Sequence, residues 1–282
     1  MDAISELLNR VEILPASPAL LPKLAKVLDN ISEANIHEIV DVILFDSALT
    51  AKLLQISNSA YFSPPQPITN VGDAISQIGY DTIYLLAAAI NGEGCLRTAP
   101  GTGLDAVLLW KHSVLTAFGA QNLAKAAGLN NHLAFTAGLL HDLGKVVFVR
   151  AHGRNYAAYL DPVKRGAQTL VEWEKATYGC DHAEVGAALL ERWKLPASLA
   201  AAVKYHHQPA AAGGDAPLAA CICLGNTLSR TLHQPAFRLD DSDSNTQQAM
   251  QAIQLTTQDL AEQWNRIHQN WEFVQNVCDL RK

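Results

Sequence analysis

Apolar residues recur at intervals of three and four positions through most of this chain of 282 residues. Examples are Ile4, Leu7, Leu8 and Val11 near the start, and the stretches 20–28 and 36–44 further on. This period places apolar side chains on one face of an α-helix, whereas a half-buried strand alternates every second residue. No segment shows the strand pattern, and no repeat of fixed length is present. The sequence therefore predicts an all-α protein.

Local signals divide this pattern into individual helices. The predicted helices cover residues 47–57, a pair within 71–90, and two long buried helices at 106–127 and 133–149. Capping boxes, in which the first side chain and one three positions later each bind a backbone N–H, predict further helix starts at 181–184 and 256–259. The last predicted helix has an apolar face of Leu260, Trp264, Ile267, Trp271 and Val274, and an acidic loop at 237–247 precedes it.

Residues 92–103 combine glycines and a proline with little apolar pattern, which is typical of a connection between helical units. We therefore expect a multi-helix N-terminal subdomain at 1–95, packed on a helical bundle at 96–235. Residues 236–282 are predicted to form a loop and a helix that pack on this bundle.

Charge and cysteine content exclude several classes of protein. The chain has 21 Lys and Arg against 27 Asp and Glu, and it lacks the basic cluster that nucleic-acid binding requires. Its five cysteines are odd in number and scattered, as expected of reduced thiols. The start has no basic signal region, and the apolar run 84–90 is too short to span a bilayer. We therefore expect a cytoplasmic protein that binds neither nucleic acid nor a membrane.

Five histidines and one aspartate form a spaced set, and His132 lies near them in the chain. The set is His112, His141, Asp142, His182, His206 and His207. Imidazole and carboxylate together suit iron, manganese, zinc or nickel, and a helical bundle can project such groups into one interior pocket. Lys145 shares a helical face with the His141–Asp142 doublet, where an ammonium could contact a phosphate oxygen.

A hydrogen-bond network is the alternative to a metal. The doublet is surrounded by apolar residues, and an unpaired buried polar group costs on the order of 1–3 kcal/mol. A bound ion would satisfy these groups, and so would Asp142 accepting hydrogen bonds from His112 or His206. The residue spacing favours neither interpretation.

Several motifs resemble one known family. Residues 137–148, preceded by Trp-Lys-His-Ser at 110–113, are similar to the core of the HD superfamily of metal-dependent phosphohydrolases. The segments 181–186, 193–196 and 205–207 continue that similarity. The N-terminal segments 14–18, 45–54, 58–62 and 74–79 resemble the HDOD family, whereas the related HD-GYP phosphodiesterases lack this block. The resemblance covers about residues 10–230.

The resemblance implies a set of site residues. It makes His112, His141 and Asp142 ligands of one metal, while His182, His206 and His207 complete a second position. Asp142 and Lys145 become the candidate catalytic residues, with Lys145 facing phosphate. Where the HD pattern has a later aspartate this chain has Asn226, a weaker ligand, so one metal position or the whole site is in question. The implied cofactor is one or two divalent transition metals (Fe, Mn, Zn or Ni), or none.

The resemblance leads to a functional expectation and leaves enzymatic activity open. HDOD proteins resemble degenerate HD domains and are thought to act in bacterial regulation, so we expect a signalling or regulatory protein that acts through protein partners. The alternative is a metal-dependent phosphohydrolase that uses a metal-bound water. A third interpretation is a sensor with a nucleotide or phosphate ligand. The last predicted helix, with Trp264 and Trp271, offers a surface for a homo-oligomer or a partner.

Overall fold

The computed structural model describes residues 3–10, 43–44, 47–59, 61–96, 102–161, 168–232 and 243–279. Within these ranges the chain is helical and contains no strand, which confirms the all-α prediction. The predicted helix at 20–28 lies outside the described residues, as does most of the one at 36–44.

The described helices alternate with short turns. In the first half they are α1 (Ala3–Arg10), α2 (Ser47–Ser57), α3 (Val71–Ile78), α4 (Tyr80–Cys95), α5 (Ala106–Ala126), α6 (Asn131–Leu140) and α7 (Leu143–His152). In the second half they are α8 (Arg154–Ala158), α9 (Leu170–Tyr178), α10 (His182–Arg192), α11 (Ala197–Lys204), α12 (Ala216–Thr231), α13 (Ser244–Ala252), α14 (Thr257–Gln269) and α15 (Trp271–Cys278), with a 3-10 turn at Pro209–Asp215 between α11 and α12.

Helix starts and ends that are marked by a capping box or a glycine were predicted correctly. Asp181 and Glu184 form the capping box of α10, and Thr256 and Asp259 form that of α14. Helix α5 ends just before Gly128, whose φ of +68° lets the next amide bond back to the carbonyl of Ala124.

Three predicted elements were wrong in detail. The helix predicted at 133–149 is two helices, α6 and α7, with a break at His141–Asp142. The last predicted helix is also two, because α14 ends at Gln269 and α15 starts at Trp271. The predicted loop at 237–247 becomes helix α13 from Ser244, since Asp243 caps its first turn.

Helix α5 is the centre of the bundle. It packs on α6 and α12, while α14 and α15 cover another side of it. Trp110 on α5 is fully buried and donates its indole N–H to the carbonyl oxygen of Cys278, 2.9 Å away. This bond fixes the end of α15 on the bundle.

Two glycines let α5 and α12 approach to backbone contact. A Cβ at Gly225 would lie 2.6 Å from the carbonyl oxygen of Thr116, and one at Gly119 would lie 2.9 Å from the Cα of Gly225. Both distances are shorter than real Cβ contacts allow, so any larger residue would separate the helices. The close crossing brings side chains of α12 next to those of α5.

The N-terminal helices α2 and α3 pack on α4, which packs on α6. His132 on α6 lies in this interface, 2.9 Å from a carboxylate oxygen of Asp81, and the Tyr84 hydroxyl is 2.6 Å from that of Thr136. The division of the chain into parts at 1–95, 96–235 and 236–282 stays a prediction.

The stretch Asn131–His152 is long and apolar enough to cross a membrane by length and composition. Its most apolar window is 94% buried by the surrounding helices, as in the core of a bundle.

Candidate metal centre

Five histidines and Asp142 converge between the helices. We call His112, His141 and Asp142 the first triad, and His182, His206 and His207 the second triad. In each triad one potential ligand atom per residue lies within 4.8 Å of the others. Asp142 connects the two triads. Its Oδ2 is 3.3 Å from His141 Nε2 and 3.5 Å from His112 Nε2, and its Oδ1 is 3.4 Å from His182 Nε2.

Each candidate ligand comes from a helix or a helix end. His112 lies on α5, His141 and Asp142 occupy the break between α6 and α7, and His182 is the first residue of α10. His206 and His207 follow the end of α11. His141 and Asp142 therefore lie between two helices, whereas the sequence analysis placed them in the middle of one continuous helix.

A close backbone contact holds α7 against the start of α10. A Cβ at Gly144 would lie only 1.9 Å from the carbonyl oxygen of His182 and 2.9 Å from the amide nitrogen of Gly186. Only glycine fits at position 144, and this contact sets the distance between the two triads.

Both imidazoles of the first triad donate from Nδ1. His141 Nδ1 is 2.7 Å from the carbonyl oxygen of Gly138, which can only accept. His112 Nδ1 is 3.1 Å from the Ser229 hydroxyl, whose own proton goes to the carbonyl oxygen of Asn226. When each ring is neutral and its one proton lies on Nδ1, its Nε2 is an unprotonated acceptor.

The second triad repeats this arrangement at two of its rings. His206 Nδ1 donates to the carbonyl oxygen of Val203 at 2.7 Å, and His182 Nδ1 donates to Glu174 Oε2 at 2.6 Å. The Nε2 atoms of His182 and His207 are 2.9 Å apart. Two nitrogens that bind one tetrahedral ion at about 2.1 Å are separated by about 3.4 Å, so these two rings lie slightly closer, at hydrogen-bond distance.

Burial keeps three of these histidines neutral. It lowers the pKa of His112 to about 3, and it holds the pKa values of His206 and His207 well below the ordinary histidine value. Burial alone would raise the pKa of Asp142, but neighbouring His141 and Lys145 hold it well below its usual range. At neutral pH the cavity therefore combines the Asp142 carboxylate with the neutral rings of His112, His206 and His207.

Two ring nitrogens of this set are left out of the hydrogen bonds that connect the described residues. The Nε2 atoms of His141 and His206 are buried and have no hydrogen-bond partner among the described residues. Lone pairs that face a carboxylate at 3.3–3.5 Å cannot bond to it without a proton or cation between them. A divalent ion would bind the unpartnered ring nitrogens and the carboxylate oxygens at the same time. A carboxylate with several imidazoles suits iron, manganese, zinc or nickel. The residues thus fit a transition metal better than the hydrogen-bond network considered from sequence.

Two residues set the first triad apart. Lys145 Nζ is 2.7 Å from Asp142 Oδ2, so this ammonium partly neutralises the carboxylate. Asn226 is buried on α12, one turn before Ser229, and its side-chain oxygen has no donor among the described residues. That oxygen belongs to a neutral amide, a weaker ligand type than the carboxylate that the resemblance to the HD pattern implies at this position.

The sequence analysis missed Glu174 and kept His132 outside the candidate site. Glu174 lies on α9, outside the recognised motifs, and its fully buried carboxylate contacts His182. Its one sequence signal is a carboxylate eight residues before a histidine, which is too weak to single it out. His132 lies with Asp81 and the ring of Tyr84 in the α4–α6 interface, apart from both triads.

The sequence matches the HDOD domain family over residues 14–209. A protein of Treponema pallidum described as uncharacterized is 28% identical over 234 residues, which cover 79% of this chain and 44% of that protein. The chain therefore spans less than half the length of this relative.

Two crystal structures share the fold along nearly the whole chain. An HDOD domain protein of unknown function from Geobacter sulfurreducens is 25% identical with a TM-score of 0.79, covering 99% of this chain and 97% of that one. A candidate phosphohydrolase from Shewanella amazonensis is 24% identical with a TM-score of 0.72, covering 96% of this chain and 97% of that one. The likeness to the Shewanella protein shows the fold alone.

Proposed function

Because this chain belongs to the HDOD domain family over residues 14–209, we propose that it is a bacterial signalling or regulatory module with a metal centre. In this proposal the two triads hold a divalent transition metal, and the protein acts through protein partners in the cytoplasm. The observation that carries the metal is the convergence of three imidazole nitrogens on Asp142, together with the buried Nε2 atoms of His141 and His206 that have no hydrogen-bond partner among the described residues.

The composition of the first triad favours regulation over catalysis. By the resemblance, Asn226 stands where the HD pattern has a carboxylate, and the Lys145 ammonium is already paired with Asp142. Both features reduce the negative charge that would hold a second cation. A single ion held by the second triad and Asp142 would tie the start of α7, the start of α10 and the end of α11 together, and it would stabilise the bundle because binding to the folded state alone shifts the unfolding equilibrium.

Phosphohydrolase activity is the second candidate, and the connection of the two triads through Asp142 favours it. A metal bound there would act as a Lewis acid on a phosphoryl oxygen. The chain's own contribution would be to hold that metal with its imidazoles and to place Lys145, which is 17% exposed, near a phosphate oxygen.

Elemental analysis of protein purified without chelators tests the metal. We expect about one equivalent of iron, manganese, zinc or nickel in the wild type, and a large loss in His206→Gln. His268→Ala, on α14 away from both triads, is the control and should retain the metal. Less than about a tenth of an equivalent in the wild type, together with no uptake of added metal, would contradict the proposal.

Hydrolysis assays separate the two functions. Cyclic dinucleotides and nucleoside phosphates are incubated with the metal-loaded wild type and with His141→Ala. The regulatory proposal expects no turnover above that variant. Turnover by the wild type that His141→Ala abolishes would establish the phosphohydrolase instead.

A further inference from the structure

Glu174 is a fully buried carboxylate that lies outside every motif of the proposed metal centre. It is positioned by α9, which starts at the capping box of Thr169 and Glu172 and ends at Gly179 with φ +77°. The chain then turns and starts α10 at His182, which brings these two residues together. Lys175 on α9 also contacts Asp181, the cap of α10, at 3.0 Å and holds the two helices in place.

The carboxylate of Glu174 has three donors. Its Oε2 accepts from the backbone N–H of His182 at 2.9 Å and from the Nδ1–H of the same residue at 2.6 Å. Its Oε1 accepts from the Tyr156 hydroxyl at 2.5 Å. Burial, with Glu174 beside it, raises the pKa of Tyr156 well above its ordinary value, so this hydroxyl keeps its proton and donates. Both oxygens of the carboxylate are therefore paired.

These contacts fix His182 in two ways. In the neutral ring the proton on Nδ1 leaves Nε2 free, and that atom faces Asp142 Oδ1 at 3.4 Å and His207 Nε2 at 2.9 Å. The bond to the backbone N–H holds the first residue of α10, so the ring and the helix that carries it are oriented by the same oxygen. A carboxylate behind an imidazole also raises the basicity of the opposite ring nitrogen.

From this geometry we propose that Glu174 is a positioning residue of the second triad, which orients His182 and strengthens its Nε2 as a metal ligand. The inference rests on the metal centre of the proposed function. In a purely structural role, Glu174 would only accept the hydrogen bond from the backbone N–H at the start of α10. A structural role alters stability, whereas a positioning role alters metal affinity in protein that remains folded.

Co²⁺ titration of the metal-free full chain, followed by its visible absorption bands, separates these roles. Glu174→Gln removes the charge but retains an oxygen that can accept from His182. We expect it to weaken Co²⁺ binding by about 10–100-fold, the range for such supporting carboxylates. Glu191→Gln, an exposed position on α10, is the matched control and should bind Co²⁺ as the wild type does.

Tyr156→Phe provides the second comparison. It removes one donor to Glu174 but leaves the contact between Glu174 and His182, so we expect lower thermal stability with nearly wild-type Co²⁺ affinity. Equal affinity in wild type and Glu174→Gln would overturn the inference and leave the metal centre standing. Equal loss of affinity in Glu174→Gln and Tyr156→Phe would also overturn it. A wild type that binds no Co²⁺ would remove the proposed metal centre and this inference together.

A direct measurement on the wild type covers the case in which Glu174→Gln fails to fold. Long-range ¹H–¹⁵N NMR of metal-free protein labelled on histidine reports which ring nitrogen of His182 carries the proton. We expect the proton on Nδ1 and none on Nε2, with the His182→Gln spectrum used for assignment. A proton on Nε2 and none on Nδ1 would show that Glu174 does not hold the Nδ1 proton and would overturn the inference.

Discussion

The two triads differ in whether a cationic side chain of the protein already pairs with them. In the first triad the Asp142 carboxylate contacts the ammonium of Lys145 at 2.7 Å, and the rings are held by a hydroxyl and a backbone carbonyl. The second triad consists of three imidazoles, and the carboxylate of Glu174 stands behind one of them. No lysine or arginine among the described residues forms an ion pair with Glu174.

This difference indicates where a cation is needed most. The first triad has an internal cation, so a metal there competes with Lys145 for the same carboxylate oxygen. The second triad has lone pairs and a supporting negative charge but no internal cation in the described part of the chain. We therefore expect the tightest metal position at the second triad, with Asp142 Oδ1 as the oxygen nearest to it.

The largest effect should follow from separating the triads. Gly144→Ala places a Cβ 1.9 Å from the carbonyl oxygen of His182, which α7 and α10 can relieve only by moving apart. We expect a loss of about 3 kcal/mol in the free energy of unfolding, at the upper end of overpacking costs. Urea unfolding of the metal-free protein measures it. Gly94→Ala on α4, where a Cβ meets nothing within 4 Å, is the control and should be neutral or slightly stabilising.

Ligand removal tests the order of the two positions. We expect His206→Gln to weaken the tightest metal binding by more than about 100-fold, beyond the effect of a supporting residue. His141→Gln should weaken it by about 10-fold, because that ring faces the carboxylate from the side of Lys145. Isothermal titration with Zn²⁺ measures both. A larger loss in His141→Gln than in His206→Gln would reverse the order.

Acid should destabilise the metal-free protein mainly through the second triad. Burial lowers the pKa values of His206 and His207 in the folded state, and it does the same for His112. In the unfolded chain these histidines take up a proton near pH 6.5, whereas in the folded protein they stay neutral to lower pH. The free energy of unfolding therefore has its full value above about pH 6.5 and decreases as the pH falls below it. Each such histidine contributes up to about 1.4 kcal/mol per pH unit. Asp142, whose folded pKa is also lowered, adds its own loss only below about pH 4.

Denaturant unfolding from pH 7.5 to 4.5 measures this slope. The double variant His206→Gln and His207→Gln should flatten it more than His112→Asn, since it removes two of the three groups. A slope that is unchanged in the double variant would show that these rings already take up protons in the folded protein.

The sequence allowed prediction of the helical fold because its signals are local. The capping box at Asp181 and the stop at Gly128 each depend on a few neighbouring residues and were correct. The break at His141–Asp142 was missed because the apolar period continues through it, so periodicity cannot report a change in the backbone there. The place of Gly144 depends on how α7 crosses α10, which no local pattern contains.

The candidate site likewise has features that the sequence predicts and features that depend on how distant helices pack. Histidines in a recognisable order could be named from sequence, and the structure brings them together around Asp142. The partners that decide their proton positions could not be named. Ser229 and Glu174 each reach a histidine from a distant or separate helix, and the residue type alone does not show which ring nitrogen they contact.

The smallest expected effect is that of adding a carboxylate near the first triad. Asn226→Asp would restore a carboxylate on α12, one turn before the serine that holds His112. A carboxylate is a stronger ligand than an amide for a borderline cation, but Lys145 would share the added charge, so we expect only about a 10-fold gain in Zn²⁺ affinity at the first triad. Calorimetry should then show the stoichiometry rising from one ion toward two, while Asn270→Asp at an exposed position leaves it unchanged. An unaltered isotherm would mean that the oxygen of Asn226 does not face the first triad, and the weakness of that triad would then rest on Lys145 alone.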